Sequence, residues 1–589
     1  MRAAEIGTGA DRVLIADGLL SDHDYARAFA RHHGLKLETL AQVPRAACPL
    51  SDETMLTGLS CGIIPFTADG RLQLAVAPWH HSARLMVQTL QQHPSIRGSL
   101  RITTMQWLRD FIHHQAESVV GDKAALHLRN TRPHLSAGSA LSRTPLALAG
   151  VALLVLIILA GAQNTLTVAV NLALALIFLG WSGLRVLGIL LSAVPQQTPA
   201  LDDDSSLPLY SIVVAAYQEA ASIPALIAAL SQLDYPKERL DIKIVVERHD
   251  LATRHALATL DLAAPFEVIV APSLEPRTKP KALNAALPFM RGHYVVVYDA
   301  EDRPEPQQLR VALAAFQNSD DRLACVQARL TIDNTADSWL TRLFTAEYAG
   351  LFDVFLPGLA AFRLPLPLGG TSNHFRTATL RDLGAWDPFN VTEDADLGIR
   401  IARAGLYTTV IDSSTYEEAP ATAKAWIHQR TRWFKGYLQT WAVHMRDPLG
   451  LWRDLGAGGF LIFQMVVGGA VLAALVHGLF IAVLCWQMIA GFIWPETGGV
   501  FAMPSLYVGT LVAGYALSAL NGFIGLSRRR LLTSAGYLLL TPFYWALLSV
   551  AAWRAIGQLV VAPYHWEKTA HGLARHSRRA KFLVPRDSA

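Results

Sequence analysis

Two apolar blocks, at 146–194 and 460–561, bracket a stretch at 205–447 in which short apolar runs alternate with amphipathic ones. Runs of this kind reach the ~20 residues that a helix needs to cross hydrocarbon, so the pattern predicts a soluble unit held between membrane segments. Composition agrees: 52% of residues are hydrophobic, 17% charged, and the mean hydropathy is +0.28. A chain of 589 residues divides into several domains. The net charge of +4 is small for that length and gives no reason to expect nucleic acid; the basic residues sit beside the apolar blocks instead. Cys48, Cys61, Cys325 and Cys485 are scattered without a CxxC pair, which predicts buried free thiols, not a zinc or disulfide framework. No apolar run follows residues 1–5, so no cleavable signal peptide is expected.

Residues 1–120 read as a small soluble α/β unit. Tyr25, Ala28, Phe29 and His32 recur at helical spacing after Ser21, a natural N-cap. Runs at 62–66 and 72–76 flank Asp69-Gly70, the signal for a hairpin with a tight turn. Residues 121–144, with Arg129, Arg132, His134 and Arg143, read as a basic linker. The runs at 146–162 and 165–194, split by Gln163-Asn164, predict a transmembrane hairpin over 145–194, with Arg185 near its end placed to snorkel to the interface. The basic residues before it put both hairpin ends in the cytoplasm. Stretches at 460–493, 507–524 and 531–561 predict a C-terminal transmembrane region over 455–563 and a cytoplasmic tail at 564–589. Three passes would leave Arg575, Arg578, Arg579 and Lys581 outside, against the positive-inside rule. One long block is therefore expected to break into two passes or a re-entrant pair, with His477-Gly478 and Thr541-Pro542 as candidate break points and the number of passes left open.

In the middle stretch, 210–217, 242–247, 266–270 and 294–299 read as buried strands, and 222–233 and 254–262 as helices. Such alternation implies a mostly parallel sheet that binds ligands at the C-terminal ends of its strands. Four signatures follow in order: Lys281-Ala-Leu-Asn284, Asp299-Ala-Glu301-Asp302, Thr392-Glu393-Asp394 and Gln429-x-x-Arg432-Trp433. Asp299 and Glu301 offer hard oxygens to Mg²⁺ or Mn²⁺ bridging a diphosphate. Glu247 and Asp250 are candidates for nucleoside hydroxyls, and Lys281 with Asn284 for phosphate. Thr392 is placed to cap a helix over 393–404; Asp394, beside Glu393, is the candidate base for an acceptor hydroxyl. Helix capping alone would also favour acids there. Arg432 suits the diphosphate and Trp433 a sugar face, although an interface helix would carry the same aromatics. Together they are the equipment for transfer from a sugar nucleotide.

Tyr298-Asp-Ala-Glu-Asp-Arg-Pro304, Leu368-Gly-Gly-Thr-Ser-Asn-His-Phe375, Thr392-Glu-Asp394 and Gln429-Arg-Thr-Arg-Trp433 make 205–447 resemble a family 2 glycosyltransferase of the membrane-embedded, cellulose synthase-like type. The likeness is strongest to bacterial β-glucan synthases of the curdlan-synthase-like group. It implies an α/β GT-A domain inserted between transmembrane helices, plus the small N-terminal α/β domain. It further implies a UDP-sugar donor (UDP-glucose), Mg²⁺ or Mn²⁺, inversion at the anomeric carbon, and a growing polysaccharide exported across the bacterial inner membrane. Export proteins of the periplasm or outer membrane would be partners, and the catalytic and N-terminal domains cytoplasmic. By the resemblance Asp394 is the base, Asp299 and Glu301 hold metal and diphosphate, and Gly370, Thr371 and Ser372 line the acceptor site. Trp566-Glu-Lys568-Thr569 resembles the gating segments of such synthases and adds Lys568 to the substrate contacts. Two departures stand out: Asp299-x-Glu301 replaces Asp-x-Asp, and Glu247-Arg-His-Asp250 replaces the usual acidic pair. A non-processive enzyme making a glycolipid is the alternative. Residues 10–118 resemble the N-terminal domain of type II secretion ATPases, some of which bind cyclic di-GMP. Gly9-Ala10-Asp11 stands where those carry Arg-Leu-Gly, so a regulatory module without that nucleotide is expected.

Overall fold

The structure is a computed structural model that describes residues 2–5, 8–78, 81–139, 165–191, 203–260, 262–478 and 504–567, with isolated positions 150, 201, 481 and 485. The expected run at 146–162, the linker residue Arg143, the site residue Lys568 and the basic tail lie outside the described residues.

The N-terminal unit contains a four-stranded sheet of β1 (Lys36–Leu37), β2 (Ile63–Ala68), β3 (Arg71–Val76) and β4 (Leu100–Ile102), in the order β1-β4-β3-β2. β2 and β3 form the expected hairpin, and Asp69 and Gly70 turn it with φ of 50° and 70°, the geometry that Asp-Gly supplies at little cost. Ser21 caps the helix Asp22–His33, accepting from the Asp24 amide at 3.0 Å.

Where a basic linker was expected, Glu117–Thr131 is a helix. It buries Val120, Gly121, Ala124, Ala125 and Leu128 against the next domain, while its basic residues face outward. Gly121 permits the approach, since a Cβ there would meet Pro272 at 3.3 Å. The Asn284 side chain donates to the carbonyls of Ala124 (3.0 Å) and Trp386 (2.8 Å), so it ties this helix to the catalytic half. Further on, Ser136 and the Ala137 amide donate to the buried carboxylate of Asp387.

The second sheet comprises β5 (Tyr210–Ala216), β6 (Leu240–Glu247), β7 (Phe266–Ala271), β8 (Tyr294–Tyr298), β9 (Arg303–Pro304), β10 (Leu323–Ile332), β11 (Asn373–Arg376) and β12 (Tyr407–Glu417), ordered β7-β6-β5-β8-β11-β10-β12-β9. β7, β6, β5 and β8 run parallel; β5 and β8 are near-continuous apolar runs of the kind covered on both faces, while Asp241, Lys243 and Glu267 interrupt β6 and β7 and pair with one another and Arg291. β11 is antiparallel to both its neighbours, and β10 and β12 are parallel, which makes the sheet mixed. This half has a GT-A-like arrangement.

Among the described residues four helices are long and apolar enough to cross a membrane by length and composition: Trp339–Ala361, Pro448–Gly478, Val508–Arg528 and Leu532–Val561. The first lies between β10 and β11 and was not expected. It is apolar because it is covered, 78% of its most apolar window being buried. At its N-terminal end Asn334 bonds Ala419, and just past its C-terminal end Arg363 pairs with Asp320, so both ends rest on the catalytic half.

Leu532–Val561 also begins and ends there. Before it, Arg528 donates to the Asp353 carbonyl and Arg529 pairs with the Asp353 carboxylate. After it, Lys435 donates to the His565 carbonyl at 2.6 Å and Gln439 to that of Pro563 at 2.9 Å. The block changes from 3₁₀ turns to α-helix at Thr541-Pro542, one of the two expected break points. Cys48 and Cys325 are buried thiols as expected, but Cys61 and Cys485 are exposed, against the expectation.

Asn284→Ala removes the side-chain bonds to the Ala124 carbonyl and to the backbone of Trp386 and is expected to lower stability by about 1–3 kcal/mol. Thermal unfolding of the full chain in detergent reads this as a lower midpoint; an unchanged midpoint would show that the contact does not hold the two units together.

Candidate active site

At the end of β8 the chain turns through Asp299-Ala300-Glu301-Asp302. Asp302 folds inward: its carboxylate accepts from the Asp299 amide at 2.7 Å and from the Thr371 hydroxyl. Burial, with Asp299 and Glu301 beside it, pushes this carboxyl far above its ordinary range. Asp302 is thus the inner clasp of the turn, which leaves Asp299 and Glu301 on the wall of a cavity of about 450 Å³.

Glu393 and Asp394 open the helix Glu393–Arg403 on the same wall. Thr392 precedes this helix but makes no side-chain cap bond. Two glycines let the loop come close. A Cβ on Gly370 would stand 3.2 Å from Asp394 Oδ2, and one on Gly436 would stand 2.2 Å from the Thr392 hydroxyl. Gly436 belongs to the helix Ala423–His444, which therefore lies directly on the Thr392 loop. Gln439 accepts from the Val391 amide at 3.0 Å, and Asn390 donates to Thr440 at 2.9 Å.

Of the candidate residues, Glu247, Asp299, Glu301, Gly370, Thr371, Glu393, Asp394, Gln429, Arg432 and Trp433 line this single cavity. Four do not. Lys281 is buried behind Glu247, its ammonium 2.6 Å from that carboxylate and 3.0 Å from the Pro272 carbonyl. Asn284 makes the inter-unit bonds described above. Asp250 caps the helix Leu251–Ala258, accepting from Thr253 at 3.1 Å. Ser372 turns into the sheet at φ 58° and donates to Thr415 at 2.6 Å.

The lysine that faces the cavity is Lys279, which sequence reasoning passed over. Its ammonium pairs with Asp299 and donates to the Gly370 carbonyl at 2.6 Å. Gln327 was also missed; it accepts from the Gly369 amide at 2.9 Å and donates to the Thr371 carbonyl at 3.0 Å, which fixes the Gly-Gly-Thr loop. Arg430 is bidentate to Glu347 (2.8 and 2.6 Å) and packs over Trp433 at 4.4 Å, whereas Arg432 lies 5.2 Å over Trp566. Arg432 Nε is buried with no hydrogen-bond partner among the described residues.

Burial, and then the charge of Asp394, push Glu393 up to about 7. Burial also raises Asp394, opposed by the Ala395 amide and by Lys279 and Arg432. Burial works against the charge on Lys279, but Asp299 and Glu393 hold its ammonium above the ordinary value. The result is a pair of raised carboxyls beside two cations, suited to accept a proton and to receive an anionic leaving group. No group of three or more His, Cys, Asp or Glu among the described residues could hold a metal. Asp299 and Glu301 fit a cation that takes one or two carboxylates and completes its shell with phosphate and water oxygens, as Mg²⁺ does.

Residues 208–436 match the model described as glycosyltransferase like family 2. A probable glycosyltransferase, YdaM of Bacillus subtilis (strain 168), is 28% identical over 39% of this chain and 55% of its own length. The β-monoglucosyldiacylglycerol synthase of Nostoc sp. is 26% identical over 54% of this chain and 70% of its own. The probable glucomannan 4-β-mannosyltransferase 3 of Arabidopsis thaliana is 24% identical over 44% of this chain and 46% of its own. The chain thus spans about half the length of the first and third of these relatives. Residues 208–436 are thus similar to a family 2 glycosyltransferase domain, and the relatives matched over this stretch are glycosyltransferases.

A raised carboxyl stabilises the fold while protonated and loses that contribution as pH rises from its unfolded value, 4.5 for Glu393, through about 7. Glu393→Gln should therefore gain stability relative to the wild type between pH 5 and pH 7. Unfolding midpoints of both proteins across that range test this; parallel curves would show that Glu393 titrates normally.

Proposed function

We propose that the protein transfers a hexose from a UDP-sugar, UDP-glucose above all, to an acceptor that reaches Asp394 from the membrane side, building a β-linked glycan that it exports. One observation supports this most. The cavity that holds Asp299, Glu301 and Asp394 continues among the apolar helices to His477, Ser518 and Trp545, so donor chemistry and membrane share one space.

In this reading Asp394 takes the proton of the acceptor hydroxyl as that oxygen attacks the anomeric carbon, and inversion follows from attack opposite the leaving diphosphate. Arg432 and Lys279 face the leaving group and neutralise its charge. Lys279 then exchanges its hold on Asp299 for phosphate oxygens. Asp299 and Glu301 would hold a divalent cation, which supplies further charge neutralisation on the diphosphate. Glu247, paired with the buried Lys281, faces the donor end. Aromatic faces along the path (Trp433, Tyr437, Tyr544, Trp566) give sugar rings flat surfaces on which to stack.

A glycolipid product is the second reading. It is favoured by the aliphatic part of the cavity wall, at Val466, Ala470, Leu538 and Leu548, and by the diacylglycerol enzyme among the relatives. Bacterial inner-membrane location, with the catalytic and N-terminal halves in the cytoplasm, belongs to both readings.

The path of Leu532–Val561 bears on topology. Its α-helical part, 21 residues long, would measure about 31 Å, enough to cross hydrocarbon, yet both ends of the segment meet the catalytic half. Leu539, Phe543, Val550 and Val560 are exposed along it. We infer that it lies in the interface with those residues toward lipid, which puts Arg528–Arg530 and the tail on one side as the charge rule requires.

Two outcomes are expected. Asp394→Asn should lower sugar transfer by at least 10²-fold, the range of a general base, with the unfolding midpoint kept. Turnover near wild type in a radiolabelled UDP-glucose assay would remove Asp394 as base, and a purely solvent-extractable product would leave only the glycolipid reading. Second, in a background with Cys61 and Cys485 changed to serine, Arg530→Cys and His565→Cys should both react with an impermeant maleimide from the catalytic side alone. Labelling from opposite sides would show that the 541–561 helix crosses.

A further inference from the structure

The cavity contains a second cation that the chemistry above does not use. Arg185 lies on the helix Thr165–Leu191 and lines the membrane part of the cavity. Its guanidinium stands 5.3 Å from the ring of Trp181 and 5.6 Å from that of Trp545, and it makes no hydrogen bond or ion pair among the described residues. The acid that acts on it most is Glu347. That carboxylate is already engaged, bidentate to Arg430 and accepting from the Tyr544 hydroxyl at 2.5 Å.

An arginine at the edge of an apolar span has two inexpensive resting states: pointing outward to headgroups and water, or paired with an acid. Arg185 takes neither. It turns inward between two indoles, where stacking stabilises a weakly hydrated guanidinium but leaves its N–H donors directed at the space between.

The helix carrying it cannot easily move away. One turn on, Gly188 meets the helix Leu356–Ala361, and a Cβ on Gly358 would stand 2.7 Å from the Gly188 Cα.

We propose that Arg185, held between Trp181 and Trp545, binds the phosphate of an anionic membrane lipid, and that such a lipid is the acceptor on which the first sugar is placed. This rests on the transferase reading. The phosphate accepts N–H bonds from the planar guanidinium, which matches phosphate geometry. The lipid's hydroxyl-bearing headgroup extends along the cavity toward Asp394, and its acyl chains lie against the aliphatic wall at Leu538 and Leu548. A neutral diacylglycerol or a bare glycan would offer oxygen acceptors to Arg185 but no negative charge to match its guanidinium.

The test reads lipid retention separately from catalysis. Full-length protein is purified in mild detergent after reconstitution with equimolar phosphatidylglycerol and phosphatidylcholine, and retained lipids are counted by native mass spectrometry. Wild type and Asp394→Asn should keep phosphatidylglycerol in at least tenfold excess. Arg185→Gln should lose that preference, and Arg185→Lys, which keeps the charge without the planar fork, should keep part of it. Equal retention by wild type and Arg185→Gln, or no preference in wild type, overturns the site.

In vesicles of the same lipids with UDP-[¹⁴C]glucose, label should enter a chloroform-soluble, phosphate-containing product. Label found only in neutral lipid or only in insoluble glycan overturns the acceptor assignment. Asp394→Asn with full activity would instead overturn the catalytic reading, and the retention result would still stand.

Discussion

The contact of Gly436 with Thr392 is the constraint on which the cavity depends. A helix that must touch a loop at van der Waals distance needs a residue with no side chain at the crossing, and here even a methyl group would overlap the threonine hydroxyl. Because the crossing is so close, the first turn of Glu393–Arg403 and the Gln429–Trp433 face of the neighbouring helix open onto the same space. Gln439 and Thr440, one turn further, hold the loop by hydrogen bonds. On its other side this helix is tied to the apolar part through Arg430, Glu347 and Tyr544. A buried ion pair of that kind contributes little net stability, but removing one partner strands the other charge at a cost of about 3–5 kcal/mol. The helix is thus fixed to both halves, and the candidate acids keep a set position relative to the apolar helices.

The cations in and behind the cavity wall fall into two sets. Arg430 and Lys281 are matched to carboxylates, Glu347 and Glu247, and serve to fix position. Lys279, Arg432 and Arg185 face the space where substrates would lie. Lys279 is held by an acid that a bound nucleotide could release, and among the described residues Arg432 Nε has no hydrogen-bond partner and Arg185 is stacked without an ion pair. Such cations are suited to an arriving anion. Their placement at two levels, one beside the catalytic acids and one among the spans, gives the cavity a donor end and a membrane end.

Much of this was legible beforehand. Mostly apolar runs marked β5, β6, β7 and β8 despite Asp241, Lys243 and Glu267, and Asp-Gly marked the hairpin, because these follow from side-chain burial and local backbone preference. The strands β10 and β12 were overlooked: Gln327 and Arg329 interrupt the apolar pattern of β10, and serine, threonine and Asp412 that of β12. The helix Glu117–Thr131 was read as linker because its basic residues were weighed and the small-residue face of Gly121, Ala124 and Ala125 was not. The choice of Lys281 over Lys279 was a matter of direction. Two positions apart on a helix differ by about 200° around the axis, so one lysine faces the cavity and the other the core, and spacing alone does not say which.

Sequence by itself determined the kind of chemistry and its surroundings: acids at a strand end, acids at a helix start, an Arg-Trp pair on an aromatic helix, and apolar blocks on either side. Those are local facts of residue type and order. Tertiary structure decided which members of each motif reach the shared space, because that depends on helix rotation and on how closely two backbones approach. It also brought both ends of the last apolar segment back to the catalytic half, and it turned Arg185 inward between two tryptophans from another part of the chain and its own helix. Long-range packing settles such matters, since the partners involved are hundreds of residues apart and no local pattern records their meeting.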